Sequence, residues 1–229
     1  MTKMKKATVK PTTKKARKPA TAKQPPVLWF KVLVNGKSCH GGEMTWSLPT
    51  KQKNGQWKPG EWHDAGGKPV MCGHPGIHLT KEPAKWAGDK SQFYIAEYDG
   101  EIVDDGTDKI SCRKVRLLRE ASIEELESVN VFFTGTHSIS DGTAAVYGGT
   151  IKSVSGGTIK FVYGGTIESV SGGTIKSVSG GTIKFVYGSS VINDCRKLPE
   201  KFDGYCVLID RSQTPPKIIC GWDKKGGGK

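Results

Sequence analysis

Residues 148–187 read GGTIKSVS-GGTIKFVY-GGTIESVS-GGTIKSVS-GGTIKFVY, which is one octad repeated without interruption. Degenerate copies precede and follow it, so that about seven units cover residues 140–195. Each unit joins a run of β-branched residues to a Gly-Gly pair, a pattern typical of short strands separated by tight turns. A single octad buries too few aliphatic side chains to offset the entropy of ordering its backbone, so the units must stack on one another.

Stacking permits two architectures, a parallel β-solenoid and an antiparallel meander with each Gly-Gly as a hairpin turn. A longer period bears on the number of sides, because residues 148–171 resemble residues 172–195. A three-sided coil of 24 residues would place Phe161 on Phe185, whereas a two-sided coil of 16 residues would stack charges of alternating sign at Lys152, Glu168 and Lys184. We expect a solenoid, with two or three sides.

The chain before the repeat predicts a small α+β domain at residues 27–133. VLWFKVLV (Val27–Val34) is a dense run of β-formers, and Asn35-Gly36 after it is a turn signal. Residues 92–98 and 109–119 read as further strands. Short helices are expected after Thr80 and after Ser122, where Ser122 and Glu125 fit a capping box.

Residues 196–229 predict a capping hairpin, with strands at 205–210 and 217–222, followed by a basic end. The predicted organisation is therefore a basic tail (1–26), a small α+β domain (27–133), an octad-repeat β-solenoid (134–195) and the cap (196–229). The fold class is α+β, mainly β.

Charge is segregated along the chain. The net charge is +13, but residues 1–26 contain no acid and carry +9, and the last eight residues carry +2. The 195 residues between them are left with +2, which excludes a uniformly basic globule. We expect residues 1–26 to be disordered and to contact nucleic acid or another polyanion by counterion release. The predicted contact residues are Lys3, Lys5, Lys6, Lys10, Lys14, Lys15, Arg17, Lys18 and Lys23.

No run approaches the roughly 18 consecutive apolar residues that a membrane span requires, so no membrane partner is predicted. The basic start is not followed by an apolar stretch, which predicts that no secretory signal peptide is present.

One group of soft metal ligands occurs in the first domain. Its members are Cys39, His40, Cys72, His74, His78 and Cys112. Zinc sites usually draw on closely spaced pairs such as C-x₂₋₄-C, and none occurs here, so zinc is a weak candidate. Buried thiols beside hydrogen-bonded imidazoles are the favoured interpretation, disulfide or redox chemistry stays open, and no other cofactor is predicted.

Four motifs in order, SCHGG (38–42), CGHPGIHL (72–79), FYIAEYDGEIVD (93–104) and KISCRKVRLLRE (109–120), resemble an uncharacterised domain family of phage and bacterial proteins. In that family a Gly-rich octad segment often follows, as it does here, and the resemblance covers about residues 30–195. It implies no established activity. It does imply a phage-type accessory protein located in the host cytoplasm or associated with the virion.

A second resemblance concerns nucleotide chemistry. A strand that ends at His78, a short helix and an aromatic strand with Glu97 are similar to the layout of ADP-ribosyltransferase-like enzymes. The resemblance implies that His78 would hold the cofactor and that Glu97, or Glu101, would orient the ribose. Both acids lie closer to the histidine than that family's glutamate usually does, so His78 and Glu97 are weak catalytic candidates.

The function predicted from the sequence is that of a non-enzymatic structural or interaction protein with a polyanion-binding arm. The solenoid would serve as a spacer, a surface for a protein partner or a surface for self-assembly. The alternatives are a small nucleotide-binding or ADP-ribosyltransferase-like enzyme in residues 27–133 and a zinc-stabilised accessory protein.

Overall fold

The computed structural model describes residues 27–39, 42 and 44–221, and their regular structure is almost entirely β. The first part contains β1 (Phe30–Val34), β2 (Lys37–Ser38), β3 (Thr50–Lys51), β4 (Trp57–Lys58), β5 (His63–Asp64), β6 (Ile77–Thr80), β7 (Ser91–Asp104) and β8 (Lys109–Glu120). A 3-10 turn (Pro83–Lys85) lies between β6 and β7, and the helix α1 (Ile123–Glu127) follows β8. The second part contains β9 (Val131–Phe132), β10 (Thr136–Ile139), β11 (Thr143–Val146), β12 (Thr150–Val154), β13 (Thr158–Val162), β14 (Thr166–Ile175), β15 (Thr182–Cys195), β16 (Lys201–Phe202), β17 (Val207–Asp210) and β18 (Lys217–Cys220).

Four strands of the first part close into a ring, which we call the barrel. β1 pairs with β7, β7 with β8 and β8 with β6, all antiparallel. β6 returns to β1 through the pair Phe30–Thr80. Closure removes the open edges that these strands would otherwise present.

The alternation of side chains along β1 sorts its residues between the inside and the outside of the barrel. Leu33 packs inward with Leu79 and Ile110, whereas Phe30 and Val32 pack outward.

The strand predicted from the run Val27–Val34 is confirmed as β1, although it begins at Phe30. The predicted turn is also confirmed, because Asn35 and Gly36 have positive φ angles of 52° and 72° and connect β1 to β2.

The two predicted helices have different outcomes. The capping box is confirmed, since the Ser122 side chain accepts the Glu125 N–H and the Glu125 carboxylate accepts the Ser122 N–H. The helix expected after Thr80 is wrong in extent, because only the 3-10 turn forms and its N-cap is Glu82. Pro83 explains the difference, since a proline forces the preceding residue out of the helical region.

The second part is a β-solenoid of about five turns, as the octads predict. The strands pair in parallel, with Thr150 opposite Thr166 and Thr166 opposite Thr182. A spacing of 16 residues corresponds to two octads per coil, so the solenoid has two sides. The other side has the same spacing, with Thr158 opposite Thr174.

The core of the solenoid consists of the Ile and Val of each octad. Their side chains form two facing stacks at or near zero exposure, made of Ile151, Val154, Ile159, Val162, Ile167, Val170, Ile175, Val178, Ile183 and Val186. Because each coil adds two octads to the same core, no unit has to be stable alone.

The 24-residue period does not describe a coil. Phe161 lies opposite Ala145, and Phe185 lies opposite Ser169, so the two phenylalanines are not stacked. The charged residues that a two-sided coil was expected to stack do approach one another, since the Lys184 Nζ lies 3.8 Å from the Glu168 carboxylate. The longer period is a feature of the sequence without a structural counterpart.

The predicted C-terminal hairpin is present as β17 and β18, which pair antiparallel from Val207–Cys220 to Asp210–Lys217. β17 also pairs in parallel with β15, so the hairpin extends one side of the solenoid. At the other end the barrel covers the first coils. Phe93 of β7 packs edge-on against Phe133 and Tyr147, and the Tyr147 hydroxyl donates to the Gly88 carbonyl over 2.7 Å.

Candidate functional site

A cavity of about 790 Å³ opens into the barrel, and its lining comes from segments far apart in sequence. The lining residues come from β1, from the residues after β2, from the segment 72–80, and from Trp86 and Lys109. The walls are mainly apolar, with Met44, Trp46, Ile77 and Leu79 among them. Concave, largely apolar sites with a few polar groups are typical of small-molecule binding.

Lys31 is the buried charge of this cavity. It lies between Phe30 and Val32 on β1, so the strand alternation directs it inward, and it is 7% exposed. Its Nζ donates to the His78 carbonyl over 3.2 Å and lies 5.0 Å from the centre of the Trp46 ring. Burial lowers the pKa of Lys31 from 10.5 to about 8, against the opposing effect of the Cys39 and Cys112 thiols.

Lys109 supplies a second ammonium group at the cavity wall. Its Nζ lies 2.8 Å from the Cys72 Sγ and 5.0 Å from the centre of the Trp86 ring. The Trp86 indole in turn donates to the Asp108 carboxylate over 2.8 Å. Each of the two lysines therefore lies against a tryptophan, an arrangement that stabilises a cation at a partly desolvated site.

The imidazole of His78 is influenced by the charges of both lysines. Its Nε2 accepts the backbone N–H of Cys72 over 3.0 Å, which places the ring proton on Nδ1 when the imidazole is neutral. Desolvation, with the charges of Lys31 and Lys109, lowers the pKa of His78, so the ring is neutral at pH 7.

The structure brings most of the predicted metal ligands to this cavity without arranging them as a metal centre. Cys39, Cys72, His74 and His78 line it, and His40 lies outside the described residues. Cys112 is fully buried, and burial raises the pKa of its thiol to about 12. Among the residues described, no group of three His, Cys, Asp or Glu side chains is placed to hold a metal ion.

The described cysteines also bear on the disulfide chemistry that the sequence left open. Cys39, Cys72, Cys112, Cys195 and Cys206 are free, and the register of the C-terminal hairpin puts Cys220 opposite Val207. Their burial differs: Cys112, Cys195 and Cys206 are buried, whereas Cys39 is half-buried and Cys72 is exposed.

The two weak catalytic candidates are not brought together in one site. His78 lines the cavity, whereas Glu97 lies on β7 and pairs with Arg116 of β8, whose guanidinium lies over the Trp62 ring. Glu97 is not among the residues that line the cavity.

Lys31 is the site residue that sequence reasoning missed. A signal was present, since Lys31 is the one charged residue in VLWFKVLV, a run apolar on both faces. In such a strand a lysine must enter one of two buried faces, which marks it as a candidate for function.

The solenoid offers a different kind of surface. Phe185 and Tyr187 are 43% and 49% exposed near its C-terminal end, and the Lys201 Nζ lies 5.6 Å from the Phe185 ring centre. The nine predicted polyanion contacts in residues 1–26, and the basic end at residues 222–229, lie outside the described residues.

Fold and site together define a two-part β protein, a small barrel with a lysine-bearing cavity docked on a two-sided solenoid. Residues 27–129, which include the barrel, match the family model of a domain of unknown function (DUF7666). No curated protein and no solved structure matches the chain. Within the part of the chain that the structure describes, no helix is long and apolar enough to cross a membrane.

Proposed function

We propose that this protein is a non-enzymatic, phage-type structural and interaction protein whose basic N-terminal arm, residues 1–26, contacts nucleic acid or another polyanion. The observation that carries the proposal is the segregation of charge, with +9 in the arm and +2 in residues 27–221. Many charges of the body are neutralised locally by ion pairs such as Arg119–Glu125 and Lys184–Glu168. The arm therefore supplies most of the net positive charge of the chain, and with it most of the attraction for phosphates.

The test is the salt dependence of duplex DNA binding, measured by fluorescence anisotropy with the full chain and with a chain lacking residues 1–26. If about six charges of the arm engage phosphates, log K against log salt has a slope near −5. A matched control replaces the nine cations of the arm by glutamine at constant length. A slope near zero, or unchanged binding without the arm, would contradict the proposal, and competition by heparin distinguishes a general polyanion from nucleic acid.

The interaction role in this proposal is assigned to the solenoid, which would contact a protein partner or another copy of the chain. Phe185 and Tyr187 are large exposed aromatic residues on a rigid, regular surface, which is a common property of interaction sites. Light scattering of the wild type and of Phe185→Ser measures self-assembly. A monomer in both proteins would restrict this surface to a different partner.

Of the alternatives, the cavity gives more support to a ligand-binding module in residues 27–133 than to an ADP-ribosyltransferase-like enzyme. The latter needs His78 and an acid at one site, and Glu97 is engaged with Arg116 on the β7–β8 ladder.

A further inference from the structure

We propose that the barrel cavity binds a small monoanionic ligand, a carboxylate attached to an apolar body of aromatic size. This inference concerns residues 27–133 and is independent of the arm and of polyanion binding. Two features of the cavity, which has a volume of about 790 Å³, carry it: the buried ammonium of Lys31 and the apolar and aromatic walls.

The first feature is a buried cation without a described counter-ion. Within the described residues, the groups that raise the pKa of Lys31 are the Cys39 and Cys112 thiols, whose own pKa values are raised by burial, so both are uncharged at neutral pH. The hydrogen-bond acceptor of Lys31 is the His78 carbonyl. A buried ammonium is costly unless an anion compensates it, and it has three N–H donors to satisfy. A ligand carboxylate supplies both the charge and the acceptors.

The second feature is the nature of the walls. Trp46 and Trp86 provide flat aromatic surfaces, and Ile77, Leu79 and Met44 provide aliphatic ones. Such walls favour an apolar ligand body over a sugar or a polyphosphate. Lys109 adds a second positive charge at the wall, which attracts an anion toward the cavity.

The donor set distinguishes a carboxylate from a phosphate. Phosphate sites typically present several backbone N–H groups or a bidentate arginine. Here the Cys72 N–H is engaged by His78, and the deep charge is the single ammonium of Lys31. One carboxylate neutralises one ammonium without leaving a second negative charge in an apolar cavity.

The experiment is isothermal titration calorimetry of the full chain with three carboxylates, 2-naphthoate, 3-phenylpropionate and hexanoate, each compared with its neutral amide. At pH 6.5 we expect at least one carboxylate to bind at least tenfold more tightly than its amide. The preference declines as the pH rises through about 8, because Lys31 then loses its proton. Lys31→Met abolishes the preference, whereas Lys58→Met, on the exposed strand β4, leaves it unchanged.

Several results would overturn the proposal. They are no binding of any of the three carboxylates at millimolar concentration, equal affinity for acid and amide, or a preference that persists in Lys31→Met. Binding of inorganic phosphate or of a nucleoside monophosphate in place of the carboxylates would also overturn it. Glu43 lies outside the described residues, and the variant Glu43→Gln is therefore titrated as well. Carboxylate binding by that variant but not by the wild type would also overturn the proposal, because the chain would then supply its own counter-ion. If Lys31→Met does not fold, the pH dependence of the acid-to-amide ratio in the wild type decides the question.

Discussion

Gly165 shows at the scale of one residue why the repeat needs its Gly-Gly pairs. Its φ angle is +77°, a conformation that glycine adopts at little cost. A Cβ at this position would lie 2.4 Å from the carbonyl oxygen of Gly149 in the preceding coil. The corner is therefore constrained both by its own backbone angle and by the close approach of the neighbouring coil.

Gly165→Ala is expected to destabilise the protein by about 2 kcal/mol or more, since both constraints are violated. The matched control is Gly106→Ala, which has a similar φ angle of +76° but no atom within 4 Å of the added Cβ. Urea denaturation measures both variants. Equal losses of stability would mean that backbone angle alone, and not coil stacking, selects glycine at the corner.

Lys31 gives a second prediction at this scale, on the unliganded protein. Its pKa is about 8 when folded and near 10.5 when unfolded, so below pH 8 the buried charge lowers stability by roughly 3 kcal/mol. Between pH 8 and 10.5 the folded state has lost the proton that the unfolded state still binds, and the stability penalty disappears as the pH rises.

Lys31→Met should therefore be more stable than the wild type at pH 7, with a difference that shrinks as the pH approaches 10.5. Chemical denaturation at several pH values measures this difference, and comparison with Lys58→Met removes the general effect of losing a lysine. A difference that does not vary with pH would contradict the assignment of the penalty to the charge of Lys31.

At the scale of elements, the short helix α1 is joined to β8 by an ion pair. The Arg119 guanidinium contacts both oxygens of the Glu125 carboxylate at 2.6 Å, and the same carboxylate accepts the Ser122 N–H. The Arg119 guanidinium is the main cause that lowers the pKa of Glu125. Because α1 has only five residues, its stability depends on such tertiary contacts more than on helix propensity.

Arg119→Met is expected to weaken the dependence of stability on acid. A carboxyl whose pKa is lowered on folding contributes stability above its unfolded pKa, near 4.5, and that contribution is lost as the pH falls through the folded pKa. The wild type should therefore lose more stability than Arg119→Met between pH 5 and pH 3, as measured by thermal melts. Parallel pH profiles for the two proteins would show that this pair does not couple helix to barrel.

At the scale of the whole molecule, the barrel and the solenoid share one apolar cluster. Phe30, Val32 and Phe93 from the barrel pack with Val131 and Ala145 from the first coils. Tyr147 extends this contact, since its ring stacks on Phe133 at 4.7 Å and on Tyr163 at 5.2 Å. The two parts are therefore expected to unfold together.

Tyr147→Ala is expected to cost about 3 kcal/mol and to separate the unfolding of the barrel from that of the solenoid. Tyr187 occupies the same octad position but is 49% exposed, so Tyr187→Ala is a matched control with a loss of less than about 1 kcal/mol. Differential scanning calorimetry distinguishes one transition from two. A single transition in Tyr147→Ala, with a loss no greater than that of Tyr187→Ala, would mean that other contacts join the two parts.

Properties that depend on neighbours in sequence could be predicted from the sequence. The octad determined that strands and glycine corners alternate and that one Ile and one Val per unit enter a shared core. The capping box at Ser122 and the turn at Asn35-Gly36 formed as expected, because each is specified by a few adjacent residues. Charge segregation likewise follows from the order of the residues along the chain.

Only the tertiary structure decided the number of sides of the solenoid and the place of Lys31. Each coil contains two octads, because the strands pair with a spacing of 16 residues. The 24-residue period in the sequence does not correspond to this spacing and so did not predict it. Lys31 meets the His78 carbonyl, 47 residues further along the chain, because closure of the barrel brings β1 and β6 together. Burial of that charge depends on this closure, which local patterns do not specify, and so the cavity emerged only from the folded chain.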